Sequence, residues 1–133
     1  MPTIAVSFHL GVLSDTFGND LRAKTGWKVC TASKMEQLLT ECRCCHPDVV
    51  LMEVAQTPPW DTASCLELVA KIRAELPNAK FVFWCDERPG QIGEQVIKAK
   101  KEGKIDAFLY ASADLEFFAA TIKTLLPEMT ETI

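Results

Sequence analysis

No stretch of the sequence approaches the run of about eighteen apolar residues that a spanning helix needs, so no membrane association is expected. Basic excess is missing too: 14 Lys and Arg stand against 18 Asp and Glu, for a net charge of −4. Such a chain has no field to attract nucleic acid or anionic lipid, and neither is expected as a partner. The N-terminus, "MPTIAVSFHL", lacks the basic start and small-residue cleavage site of a secretory signal. A cytoplasmic protein is therefore expected, with its six cysteines (30, 42, 44, 45, 65 and 85) as reduced thiols. Low-complexity segments and internal linkers are also absent. A chain of 133 residues then suits one domain with a core of its own.

What is present is alternation. Short apolar runs occur at Ile4–Phe8, Trp27–Thr31, Val49–Val54, Phe81–Cys85 and Ile105–Tyr110. Several, such as "VVLM" and "FVFW", are apolar at every position, which predicts strands covered on both faces. Between them lie helical patterns. Val12, Leu13, Phe17 and Leu21 recur at helical spacing and stop at Thr25-Gly26. Ser33 and Glu36 have the spacing of a capping box before a face of Met35, Leu38, Leu39 and Cys42. Further faces are Cys65–Leu68–Val69–Ile72–Leu76, Ile92–Val96–Ala99 (closed at Gly103), and Leu115–Phe118–Ala119–Ile122–Leu126 (closed at Pro127). Five strand-helix units with right-handed crossovers predict an α/β, doubly wound parallel sheet. Chemistry in such sheets lies at the carboxyl ends of the strands. That directs attention to Phe8 and His9, Glu53, Cys85, and Ala111 with Ser112.

The segment "HPDVVLMEV" resembles the third strand of response-regulator receiver domains, in which Pro-Asp and an apolar run precede a phosphoacceptor aspartate. "LELVAKIRAELPNAKFVFW" is similar to the family's third helix and fourth strand, and "IDAFLYASADLEFFAATI" to its fifth strand and helix. The resemblance, to the chemotaxis-regulator type, covers roughly residues 3 to 126. It implies a flavodoxin-like five-stranded (βα)5 fold of strand order 2-1-3-4-5, as a single receiver-like domain over 1–127 with a short tail at 128–133. No output module follows, so a stand-alone domain is expected.

Receiver chemistry, as the resemblance implies it, needs an acidic pair after the first strand. With the acceptor aspartate, that pair holds magnesium through oxygen ligands. A hydroxyl residue after the fourth strand and a lysine after the fifth complete the site. Here the acidic pair falls on Phe8 and His9, and Asp15 lies too far along the helix to substitute. The acceptor position is Glu53, the hydroxyl position Cys85, and the lysine position Ala111, followed by Ser112. Only the aromatic position of the fifth strand is kept, as Phe108.

With neither acidic partner nor lysine, a transferred phosphoryl group has no countercharge. No magnesium, other metal or cofactor is expected, and no enzymatic activity. Glu53 reads either as a longer acid resembling a phosphorylated aspartate or as a solvated carboxylate at a strand end. The expected function is an atypical receiver, acting in signal transduction through protein contacts without conventional phosphorylation. Its expected face holds Phe108, Tyr110 and Phe117, where such domains dock partners or form a homodimer through the fourth helix, fifth strand and fifth helix. One of Phe117 and Phe118 is expected to be exposed.

Two alternatives stand beside it. One is a genuine phosphoacceptor in a two-component phosphorelay. The other is a thiol or metal switch at "CRCCH", Cys42 to His46. Against the latter, Cys42 continues an apolar helical face, where free cysteine behaves as a small hydrophobe. The cluster also lacks the second ligand pair of a structural zinc site. A reactive or intermolecular thiol there would be Cys44 or Cys45. About seven residues of strand, at roughly 3.3 Å each, separate this cluster from Glu53, so the two cannot share a site. The run "KAKKEGK", Lys98 to Lys104, reads as a solvated helix end, with lysines complementing the helix dipole.

Overall fold

The computed structural model describes residues 2–8, 11–32, 34–56, 58–85, 91–110 and 114–126, without the side chains of 11–13 and 91. Its elements alternate along the chain: β1 (Thr3–Ser7), α1 (Gly11–Thr25), β2 (Lys28–Ala32), α2 (Met35–Cys45), β3 (Val49–Val54), α3 (Thr62–Glu75), β4 (Lys80–Cys85), α4 (Gln91–Lys101), β5 (Ala107–Tyr110) and α5 (Leu115–Leu125). The strands form one parallel sheet in the order β2-β1-β3-β4-β5. This is the doubly wound, flavodoxin-like architecture that the alternation and the resemblance predict.

Strand alternation divides the interior into two cores. On β3, Val49 and Leu51 join Ile4, Val6, Val82 and Phe118 under α1 and α5. Val50, Met52 and Val54 join Leu38, Ile72, Phe81 and Val96 under α2, α3 and α4. Val49 to Met52 are all fully buried, which is why the run carries no polar residue.

Element ends differ from expectation by a residue or two, each for a local reason. Strand β1 stops at Ser7 because the Phe8 N–H donates to Ser14 Oγ, at 2.8 Å. Trp27 stands before β2 and not in it, its N–H donating to Thr25 Oγ1 at 3.1 Å. Strand β5 begins at Ala107, after a turn in which Asp106 pairs with Phe81. Helix α4 closes as the sequence suggests: Gly103, at φ 76°, lets the Lys104 N–H reach Ala99 O and its own N–H reach Lys100 O.

Helix α2 corrects the expected capping box. Its N-cap is Lys34 with no side-chain bond, and Ser33 lies outside the described residues. At the other end His46 takes the left-handed conformation at φ 48° and donates its N–H to Cys42 O.

Candidate functional site

The carboxyl edge of the sheet brings Glu53 beside Trp84 and Val54 beside Cys85, with Tyr110 next to Cys85 on the outer strand. His9, Ala111 and Ser112 lie outside the described residues. Among the described residues, aromatic rings pack together at this edge. Phe8, the residue after β1, is only 4% exposed. Its ring meets Phe17 of α1 at 5.3 Å and Trp84 of β4 at 5.5 Å, both edge to face. Phe17 also touches Trp84 at 5.7 Å and Phe118 of α5 at 5.3 Å. Edge-to-face contacts at these distances are favourable beyond the area they bury.

This four-ring cluster was not anticipated from the sequence. Each member is visible there only as one more apolar residue on its own element. Their convergence depends on register: Phe8 and Trp84 turn to the same side of the sheet, where α1 and α5 cover it.

Glu53 is half-buried, on the same sheet face as Val49 and Leu51 by strand alternation. Asp15, the first acid of the chain, is engaged elsewhere: its Oδ1 accepts from Thr31 Oγ1 at 3.2 Å. Cys85 is fully buried and turned to the opposite face, within the α2–α3–α4 core. Directly after β1 the edge holds the buried phenyl ring of Phe8. Among the described residues, no group of three or more His, Cys, Asp or Glu is placed to hold a metal.

The β3–α3 loop folds onto this edge. Trp60 is buried, and its carbonyl accepts from the Ala55 N–H at 2.8 Å and from Cys65 Sγ at 3.4 Å. Asp61 caps α3, its Oδ2 accepting from the Ser64 N–H at 3.2 Å. The Ser64 side chain first, and the backbone bond after it, hold the Asp61 carboxyl below the usual carboxylate range. Burial pushes the Cys65 thiol up to about 12.

On the outer side of the sheet, Phe108 is half-buried against the α2–α3–α4 core and edge to face with Tyr110 at 5.8 Å. Tyr110 is 38% exposed and Phe117 57%, while Phe118 is fully buried. The pair of adjacent phenylalanines is thus divided between surface and core as expected.

The cysteine-rich segment occupies the other end of the sheet. Cys42 is fully buried, and burial pushes its thiol up to about 12. Cys44 is exposed and Cys45 half-buried. Cys30, which the sequence assigns to a separate element, comes up against them from β2. Burial first, and then the neighbouring Cys30 sulfur, raise the Cys45 thiol well above its ordinary value. The lysine-rich run ends α4 as a solvated helix end, with Lys98, Lys100, Lys101 and Lys104 all exposed.

No protein-family model and no curated protein sequence matches the chain. Solved structures do. A CheY-like receiver domain protein from Methanospirillum hungatei superposes with a TM-score of 0.77 at 15% identity, over 100% of this chain and 99% of that one. A response regulator from Thermotoga maritima gives 0.75 at 17%, over 96% and 98%. The chemotaxis protein CheY4 of Vibrio cholerae gives 0.74 at 15%, over 94% and 98%. The fold is that of a receiver domain. At these identities the likeness extends to the receiver architecture and not to any one protein's activity.

Proposed function

We propose that this chain is an atypical receiver that works in signal transduction through protein contacts, without phosphoryl transfer of its own. The observation that carries this is the ring cluster at Phe8. In a receiver fold that position borders the acceptor, and here Phe17 and Trp84 close over it at 5.3 and 5.5 Å. A divalent cation offered only Glu53 among the described residues of this edge gains too little to offset its own desolvation. Without the cation, and with Ala111 at the lysine position, nothing balances the charge that develops on a phosphoryl group. No cofactor is required by this reading.

The working surface is then the edge formed by α4, β5 and α5. Tyr110 and Phe117 expose aromatic area there, the residue type most enriched at interfaces. The partner is another protein, a second copy of this chain included.

The test has two arms. Incubation with a small acyl phosphate and magnesium, read by intact mass, should leave the protein unmodified; a stable phosphoryl adduct would sink the proposal. Phe117→Ser should leave the unfolding midpoint unchanged, and should weaken self-association or partner capture. Equal binding by wild type and Phe117→Ser would remove the assigned face.

A further inference from the structure

Three of the six cysteines meet where the last turns of α2 lie over β2. Strand alternation turns Val29 toward the α1–α5 core and Ala32 toward α2, so Cys30, in phase with Ala32, faces α2. On α2, Cys42 and Cys45 are three residues apart and share one side of the helix. Cys42 is fully buried against the sheet, whereas Cys30 and Cys45 keep partial access to solvent. Cys30 is the neighbouring sulfur that, after burial, raises the Cys45 thiol.

We propose that Cys30 and Cys45 form an oxidisable dithiol, closed to a disulfide by a peroxide, that ties β2 to the last turn of α2. Burial and the Cys30 sulfur keep the Cys45 proton in place, so Cys30 is the sulfur that meets the oxidant. Its sulfur takes one oxygen from hydrogen peroxide as the O–O bond breaks, giving a sulfenic acid and a molecule of water. The Cys45 sulfur then attacks the Cys30 sulfur. The S–S bond forms, the S–O bond breaks, and the departing hydroxide leaves with the Cys45 proton as a second water. A dithiol reductant reverses the reaction. Cys42 takes no part, because its full burial keeps it from the oxidant. The proposal does not depend on the receiver reading, since its partner thiols lie at the end of the sheet away from Glu53.

Treatment of the full chain with hydrogen peroxide, alkylation of the remaining thiols and intact mass measurement should show a loss of two hydrogens per chain. Peptide mapping should find Cys30 linked to Cys45, and dithiothreitol should restore the reduced mass. Cys30→Ala and Cys45→Ala, checked for native far-ultraviolet spectra, should each abolish the link, and Cys44→Ser should leave it intact. Three results would overturn the proposal: an unchanged mass, sulfinic acids without a cross-link, or Cys44-linked dimers as the sole product.

Discussion

The two ends of this parallel sheet hold their polar groups in opposite ways. At the amino end, carboxylates bind backbone. Asp48 Oδ2 accepts from the Thr3 N–H at 2.8 Å, and Asp106 Oδ2 accepts from the Phe81 N–H at 2.8 Å. Arg73 completes the second clasp, 3.4 Å from Asp106 and with its guanidinium 4.9 Å above the Phe81 ring. At the carboxyl end the positions inside Glu53 are filled by Phe8, Phe17 and Trp84. Orientation explains the contrast. Strands entering a parallel sheet present N–H groups that need acceptors, and an acid supplies one. Strands leaving it present carbonyl oxygens, which repel an acid unless a cation stands between them. Rings at that edge bring no such repulsion.

Phe8→Asp breaks this contrast most directly. It deletes a buried ring, a loss of about 3–5 kcal/mol when the replacement is alanine, and adds a carboxylate with no partner among the described rings. Urea unfolding should show a loss at the upper end of that range, unrelieved by magnesium. A variant as stable as wild type, or one rescued by magnesium, would mean that the edge is an acid pocket after all. At the opposite end, Asp106→Ala leaves the Phe81 N–H without its acceptor. Hydrogen bonds to charged groups are worth about 1.5–3 kcal/mol, so a loss of about 2 kcal/mol is expected. Asp106→Asn, which keeps an acceptor oxygen, should recover most of it. Equal losses in the two variants would show that the arginine pair, not the backbone bond, holds this clasp.

Legibility from sequence followed the same division. Val49 to Met52 revealed a strand buried on both faces because each residue's type answers its own burial. The helices were readable for the same reason, down to the glycine that ends α4. The four-ring cluster and the Cys30–Cys45 approach were not. Each depends on residues from separate elements meeting, and meeting is fixed by register and by which face a strand turns, not by residue type. The caps failed differently. Ser33 and Glu36 have capping-box spacing, yet the helix takes Lys34 as its N-cap. Spacing signals that a cap can form and not where the helix begins. Asp61, preceding a less regular apolar pattern, caps α3 with no capping-box spacing to mark it.

Asp61 gives the smallest and most discriminating measurement, because it is an acid near the carboxyl edge that binds backbone. It follows the rule of the amino end, since the start of a helix, like the start of a strand, presents unpaired N–H groups. Replacing an N-cap aspartate by alanine costs about 1 kcal/mol. The buried Oδ1, with no partner, argues against a larger value. The dependence on pH follows from Ser64, whose side chain first and backbone N–H after it lower the folded-state pKa below the unfolded value near 3.8. The contribution is then fully present above that value and is lost as pH falls through the lower folded one. Urea unfolding at neutral pH should separate wild type from Asp61→Ala, and the gap should close in acid. Asp61→Asn should cap nearly as well at neutral pH and keep its stability through the acid range, because an amide has no proton to gain there. If the gap between wild type and Asp61→Ala stayed constant in acid, the carboxylate's charge would have no part in holding α3. The neutral Oδ2 acceptor alone would then account for the cap.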